Sequence, residues 1–356
     1  MVIQDAGKVF LITRRHLRSS LNTERRQKNR LAAPLRSYHF SLNSEGQYRE
    51  SNLMTHLTYF RSYVWGLLIF TVAVIISGDI VQSTESGAGC GDSWPKCEGS
   101  LVPAIENIHT AIEFIHRALT SVLSVGYLGL LAWSYLLFGR HHLVWRSVLF
   151  SSFVLLLEIF IGAALVFFGW VEDDASWGRV IVDSLHVVNT LILLASLVLI
   201  LFWASESENR SISKEYSRGR FLIAAIGIVM VITITGTINS LADTLYFSDQ
   251  VVVEETPIAQ LLVSVRAVHP LVAIIGAFLI VGSIYMVMED PKVTYSGLGF
   301  GIFGILFLQI IVGILNIALL TPVETQIIHL SLADALWVLL IFFSLYNYSS
   351  EKPRTT

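Results

Sequence analysis

Apolar runs of about 20 residues recur along this chain, and they constrain its fold more than any other feature. Each run is long enough to cross the ~30 Å hydrocarbon core of a bilayer as an α-helix. Of the 356 residues, 54% are hydrophobic and only 14% are charged, which is too little charge for a water-soluble protein of this size. We therefore predict an all-α polytopic membrane protein. Its eight transmembrane helices are expected at about 62–81, 110–137, 148–169, 180–203, 221–240, 258–288, 297–320 and 326–347.

Basic residues are distributed unevenly between the predicted loops. Eleven precede the first helix, and most of the others follow even-numbered helices, whereas the loops after odd-numbered helices are acidic. By the positive-inside rule, both termini face the cytoplasm, with a mitochondrial matrix as the less favoured case. The polar, Arg-rich segment 1–58 fits a transit peptide, a disordered tail or a misassigned start codon. We expect a multi-pass protein of the cell (inner) membrane.

The two halves of the chain resemble each other. LEIFIGAALV (157–166) parallels LQIIVGILNI (308–317), and IEFIHRALTSVL (112–123) parallels VRAVHPLVAIIG (265–276). Because four helices separate the copies, both run in the same direction across the membrane. We predict two tandem four-helix bundles related by internal duplication. The expected divisions are an N-terminal tail (1–58), a first half (59–205), a cytoplasmic linker (206–220), a second half (221–347) and a C-terminal tail (348–356).

Four histidines lie within the even-numbered helices, toward the outer end of each. An ionisable side chain in hydrocarbon is costly unless it is paired or ligated, so such residues mark functional sites. Each half contains two, and imidazoles on facing helices can bind haem iron from both sides. The pattern predicts two bis-histidine haem sites. The histidines are His116 and His186 in the first half and His269 and His329 in the second.

Other polar residues accompany these histidines. Glu113 lies one helical turn before His116 and faces the same side. Arg117 and Arg266 are placed to pair with haem propionates, and snorkelling to lipid headgroups explains them equally well. Asp183 is placed to orient the histidine one turn further along. Glu158 and Asp334 lie deeper in the membrane and have no assigned role. Gly162 and Gly313 are expected to serve close helix packing.

The two cysteines, Cys90 and Cys97, lie in the first outward loop. That loop is on the oxidising face, where disulfide bonds persist. A structural disulfide and a redox-active thiol pair are both open on this basis. A zinc site would need more ligands than Glu98 and His109 supply.

With these residues in view, the chain resembles the haem A synthase family over about residues 62–347. SGDIVQSTESGAGCGDSWPKCEGSLVP (77–103) is similar to the family's first-loop motif, and EFIHR (113–117) matches its E-x-x-H-R element. The cysteine pair resembles that of the bacterial members. The chain departs from the family pattern at Gln82, where an arginine is usual, and 241–257 lacks the second cysteine pair of some members. The segments around the other histidines also resemble the family: HVVNT (186–190), RAVHP (266–270) and IIHLSLADALW (327–337).

The resemblance implies an enzyme that oxidises the C8 methyl group of haem O to a formyl group, giving haem A. The first pair of intramembrane histidines would bind haem O as the substrate, and the second pair would bind a permanent haem b. Glu113 would take part in the oxidation, and Cys90 and Cys97 would form the outward redox pair. Whether one histidine detaches during the reaction, or water attacks after electrons leave the macrocycle, stays open.

The resemblance also implies partners. These are haem O, membrane lipid, the farnesyltransferase that makes haem O, and an electron-transfer partner, but no nucleic acid.

Three other functions compete with the synthase. A di-haem membrane electron carrier would use the same four ligands, a transporter would use the duplicated halves, and a thiol–quinone oxidoreductase would use the cysteines.

Overall fold

A computed structural model describes residues 44–205, 210–212, 219–247, 257–290, 293 and 295–351. Within these ranges the chain forms eight helices, each long and apolar enough to cross a membrane. This confirms the predicted all-α polytopic fold of a multi-pass membrane protein. The helices are α1 (Ser44–Ser83), α2 (Ile108–Phe138), α3 (Leu143–Phe167), α4 (Trp177–Ser205), α5 (Gly219–Phe247), α6 (Pro257–Met288), α7 (Ser296–Ala318) and α8 (Val323–Tyr348).

Several predicted segments lie wholly or partly outside the described residues. They include residues 1–43 of the predicted tail, most of the linker 206–220, and the chain end 352–356. The chain divides into Met1–His56 and Leu57–Thr356. Of the first unit, only the residues from Ser44 onward are described, and they are helical. Helix α1 thus begins within the segment predicted as a polar tail.

Capping residues account for the boundaries of α2 and α3. The side chain of Asn107 accepts a hydrogen bond of 2.8 Å from the backbone N–H of Thr110, which satisfies a donor at the start of α2. Gly139 ends α2 with a positive φ of 72°, a conformation that glycine adopts without strain. His142 then caps α3 through Nδ1, which accepts from Val144 N at 3.1 Å. This cap starts α3 earlier than its apolar run predicts.

Helix α4 lies at the centre of the bundle. It packs against α3 of its own half and against α5 and α8 of the other half. In its most apolar stretch 72% of the residues are buried, the largest share among the described helices. Leu194, Leu197 and Val198 have no exposed surface. The two halves therefore meet along α4, which behaves as a core helix and not as a lipid-facing one.

One hydrogen bond joins the halves within this core. Trp337 Nε1 on α8 donates to the carbonyl oxygen of Leu191 on α4 at 2.7 Å, and Trp337 is 2% exposed. We expect Trp337→Phe to lower the free energy of unfolding by about 1–3 kcal/mol, because it removes a buried hydrogen bond and some packing volume. Denaturant unfolding in detergent micelles measures this. Trp177→Phe, at a half-exposed tryptophan of α4, should change stability much less; equal losses would contradict the assignment.

A short pair of antiparallel strands adds to the helical architecture without changing it. Strand β1 (Arg210–Ile212) lies in the predicted linker, and β2 (Ser349–Glu351) lies in the predicted C-terminal tail. In their register Arg210 pairs with Glu351 and Ile212 pairs with Ser349. The strands connect the segment between the halves to the end of α8. No apolar periodicity signals strands this short.

The outer surface of the helices is apolar. Large hydrophobic side chains are exposed along them, as expected where lipid rather than water surrounds the protein. Polar and charged side chains are instead buried among the helices, where each needs a partner. The most exposed apolar side chains of the helices include Leu136 and Phe278, and the buried charged ones include Glu113, Arg179, Asp243 and Asp334.

Candidate functional site

The first intramembrane histidine packs against a glycine of the preceding helix. A Cβ atom placed on Gly78 of α1 would lie 3.1 Å from Cε1 of His116 on α2. Ser77, the neighbouring residue, places its Oγ 2.8 Å from Nδ1 of the imidazole. The hydroxyl thus contacts Nδ1, and the glycine lets the ring approach the α1 backbone. This orientation leaves Nε2 available to a ligand.

The second half repeats this arrangement at the equivalent positions. A Cβ on Gly236 of α5 would lie 3.0 Å from Cε1 of His269 on α6. Thr235 Oγ1 lies 3.1 Å from Nδ1 of that ring. The duplication predicted from the sequence is therefore reproduced down to the hydroxyl and the glycine beside the histidine.

The second histidine of the first half has an acidic neighbour. A Cβ on Gly162 of α3 would lie 3.7 Å from Cε1 of His186 on α4. Glu158, one turn earlier on α3, places Oε1 3.4 Å from Nδ1 of the ring. Asn189 Nδ2 donates to Glu158 Oε2 at 2.5 Å, and Thr190 donates a short hydrogen bond to Oε1. The carboxylate is thus held on both oxygens.

At the equivalent place in the second half, an amide replaces this carboxylate. A Cβ on Gly313 of α7 would lie 3.1 Å from Cε1 of His329 on α8. Gln309, one turn earlier, places Nε2 3.1 Å from Nε2 of the imidazole, whereas Nδ1 of the ring is buried without a hydrogen-bond partner. Gly313 allows the close approach of the His329 ring, whereas a Cβ on Gly162 would be in ordinary van der Waals contact with His186.

A cavity of about 300 Å³ lies in the first half, with both of its histidines in the wall. Most of the lining is apolar. Charged residues of α1, α2, α3 and α4 also line it, and Leu330, directly after His329, reaches it from the second half. The cavity is thus an apolar chamber with two imidazoles and a few placed charges, the usual composition of a small-molecule or cofactor site. The histidine and charged side chains in the lining include His116, His186, Glu113, Arg117, Glu158 and Arg179.

Glu113 and Arg117 tie this cavity to the first outward loop. The backbone N–H of Cys90 donates to Glu113 Oε2 at 2.6 Å, while Arg117 donates to Oε1 from Nε at 3.0 Å and Nη2 at 2.5 Å. Arg117 Nη1 also donates to the carbonyl oxygens of Ser93 at 2.7 Å and Lys96 at 2.8 Å. Glu113 is 3% exposed, and its charge is compensated by two Arg117 donors on Oε1 and one backbone N–H on Oε2.

Cys90 and Cys97 form a disulfide bond. Both thiols are therefore used, and His109, considered above as a zinc ligand, instead places Nδ1 3.0 Å from Ser86 Oγ. Trp94, between the two cysteines, lines the cavity. The disulfide ring thus covers the cavity on the side of Glu113.

The other two predicted polar residues have different partners. Arg266 Nε lies 2.9 Å from Asp243 Oδ1, a buried carboxylate of α5. Asp183 Oδ2 lies 3.6 Å from Arg179 Nε, and Arg179 also donates to loop carbonyl oxygens. The acidic side chain next to Nδ1 of His186 is therefore Glu158, which takes the place expected for Asp183.

Sequence analysis missed the polar partners of the histidines. Ser77, Thr235 and Gln309 were not singled out, and Glu158 had no role. The signal was present in the repeat, because aligning the halves places Ser77 opposite Thr235 and Glu158 opposite Gln309. Arg179, which directly precedes the apolar run predicted as the fourth helix, is a buried residue of α4.

Comparison with known proteins places this site in a family. The family model described as "Cytochrome oxidase assembly protein" matches residues 61–341. The chain is 33% identical to a "Protoheme IX farnesyltransferase" of Thermus thermophilus over 79% of its own length and 47% of that protein. It is 27% identical to a "Heme A synthase" of Lysinibacillus sphaericus, covering 81% of this chain and 95% of that protein.

A further "Heme A synthase", from Bacillus licheniformis, is 31% identical over 48% of this chain and 55% of that protein. The chain spans about half the length of the Thermus relatives. The match to the family model, in contrast, includes all four histidines and the disulfide loop. The chain belongs to the cytochrome oxidase assembly protein family, and it covers 95% of a relative that is named a heme A synthase.

Proposed function

We propose that this protein is a haem A synthase, which oxidises the C8 methyl group of haem O to a formyl group. The observation that carries the proposal is the cavity with His116 and His186 in its wall and Glu113 beside it. Its support from relatives is the near-complete match to a protein named heme A synthase. In this assignment His116 and His186 bind haem O, and Glu113 takes part in the oxidation.

The two histidines of each half would hold a haem between them. Each site supplies two histidines from different helices, with a glycine under each ring. In the described part of the chain, no group of three or more His, Cys, Asp or Glu side chains is arranged to hold a metal ion, whereas a haem needs only two protein ligands. His269 and His329 would hold haem b, which supplies one-electron chemistry when bound. If Nε2 of His329 binds the iron, the side chain of Gln309 must move away from that nitrogen.

The arginines define where the propionates would lie. Arg266, which pairs with Asp243, would bind a propionate beside that carboxylate. Arg117 has its donors engaged with Glu113 and the loop carbonyls, so a propionate there would share it with the loop. We assign Arg117 and Arg266 to the propionates of the first and second haem.

The surroundings follow from the same assignment. We propose an inner-membrane location with both termini in the cytoplasm, so that the Cys90–Cys97 disulfide faces the oxidising side. The natural upstream partner is a farnesyltransferase that makes haem O. In support, two Thermus thermophilus proteins named protoheme IX farnesyltransferase contain a region similar to this chain.

Haem analysis of the purified protein tests the proposal. The protein is co-expressed with a haem O-producing enzyme, and extracted haems are identified by chromatography with mass detection. Haem b together with haem O, a hydroxylated haem O or haem A is expected. Two equivalents of haem b alone, despite available haem O, would instead indicate the di-haem electron carrier. Folded protein without any haem would contradict both functions.

The glycine beside His116 gives a second test. We expect Gly78→Ala to weaken retention of haem O about tenfold or more, because the new Cβ would lie 3.1 Å from the His116 ring and such overpacking costs about 1–3 kcal/mol. Haem titration of the purified protein measures it. Gly66→Ala on the same helix is the matched control, since a Cβ there meets nothing within 4 Å. Equal behaviour of the two variants would count against the proposed ring position.

A further inference from the structure

The two halves differ in the residue that faces their second histidine. At the first histidine of each half, a hydroxyl contacts Nδ1, from Ser77 at 2.8 Å and Thr235 at 3.1 Å. At the second, the first half has the carboxylate of Glu158 and the second half has the amide of Gln309. The duplicated sites therefore differ here in charge and in the ring nitrogen that is contacted, which is Nδ1 of His186 and Nε2 of His329.

The carboxylate comes with a set of donors that only the first half contains. Asn189 and Thr190, three and four residues after His186, donate to the two oxygens of Glu158. The equivalent positions after His329 are Leu332 and Ala333, whose side chains have no donor. An acidic residue in a transmembrane helix is costly unless it is compensated. The first half therefore has hydrogen-bond donors for a carboxylate at this position, whereas the second half has an amide there and lacks those donors.

Glu158 also faces a defined nitrogen. Its Oε1 lies 3.4 Å from Nδ1 of His186, just beyond hydrogen-bond range, and that nitrogen has no other partner. When Nε2 of a histidine binds a metal, the proton stays on Nδ1. A carboxylate that accepts this proton fixes the ring and makes the imidazole a stronger donor to the metal.

We propose that Glu158 is a positioning residue, whose carboxylate accepts a hydrogen bond from Nδ1 of His186 and lowers the reduction potential of the haem in the first half. This deepens the proposed function and rests on it. The stronger ligand stabilises ferric iron at the substrate site. At the second half the amide of Gln309 cannot accept an N–H in its observed orientation, so that haem keeps a higher potential. The charge difference thus sets the two sites apart electronically.

An anaerobic redox titration of single-haem proteins tests this. In a His269→Ala background, with haem O as the probe, only the first site is expected to be loaded. There Glu158→Gln should raise the potential by about 59 mV or more, which is a tenfold change in the one-electron equilibrium constant. The low-spin electron paramagnetic resonance signal of the ferric haem should shift with it. Glutamine keeps the size of the side chain, so helix packing is retained.

Transplanting the carboxylate and its donors gives the reciprocal test. In a His116→Ala background with haem b as the probe, Gln309→Glu combined with Leu332→Asn and Ala333→Thr should lower the potential of the second site. A purely structural role, in which Glu158 only joins α3 to α4, predicts altered unfolding with unchanged potential and signal, and would overturn the inference while leaving the proposed function intact. Failure of the His269→Ala protein to bind haem O would overturn both.

Discussion

Replacing His116 with alanine is expected to remove the farnesylated haem from the purified protein and to leave haem b in place. Loss of one of two axial ligands should lower retention of haem O by at least about tenfold. The reciprocal variant, His269→Ala, should lose haem b and keep haem O. Each variant removes a proposed ligand from one half only, because His116 lies on α2 and His269 lies on α6. Extraction and mass detection of both haems in each variant measure the effect.

The pair of variants is informative because each controls for the other. A general folding defect would remove both haems from either variant. His109→Ala is a further control, since that histidine contacts Ser86 in the loop region and has no proposed ligand role. Loss of the same haem from His116→Ala and His269→Ala would contradict the assignment of one haem to each half.

Glu113→Gln is expected to retain both haems and to lose product formation by about a hundredfold or more, the usual scale for a group that acts as acid or base. Glutamine still offers an oxygen to the Cys90 N–H, but it removes the charge facing Arg117. Breaking a buried ion pair leaves the remaining charge uncompensated, and costs about 3–5 kcal/mol. The measurements are haem A formation in cells that make haem O and denaturant unfolding of the purified protein.

Arg117→Gln separates the two roles of this ion pair. It breaks the same pair and also releases the loop carbonyls of Ser93 and Lys96, while the carboxylate remains. If the carboxylate takes part in the oxidation, Glu113→Gln should lose far more product than Arg117→Gln at equal haem content. If both variants lose product equally, attachment of the disulfide loop is the role of Glu113, and its part in the chemistry would be contradicted.

The first loop links the Cys90–Cys97 disulfide to the cavity through backbone atoms. Cys90 contacts Glu113 through its N–H and not its sulfur. The loop geometry around this contact is tight, because a Cβ on Gly89 would lie 2.5 Å from the His109 backbone. We therefore expect a change at the disulfide to shift the backbone N–H that donates to Glu113. This connection is a property of the main chain, so no pattern of side chains announces it.

Hydrophobicity and duplication made much of this fold predictable. Runs of apolar residues have to become helices in a bilayer, where every backbone group must be bonded internally. The histidines at 116, 186, 269 and 329 stand out for the same reason, since hydrocarbon penalises an ionisable group that has no partner or ligand. The number and type of the helices, and the pairing of the halves, are thus written in the sequence, whereas the starts of α1 and α3 are not.

What only the tertiary structure decided is how each helix is rotated toward its neighbours. Sequence spacing places Asp183 on the same face as His186, but the carboxylate at Nδ1 comes from Glu158 on another helix. Likewise Trp337 meets Leu191 across the two halves. Hydropathy defines which residues are apolar and how long a helix is, whereas contacts between helices depend on packing distances and rotations that no single helix encodes. The sequence therefore determined the helices and the intramembrane histidines, and the packing of the helices determined the partner of each histidine.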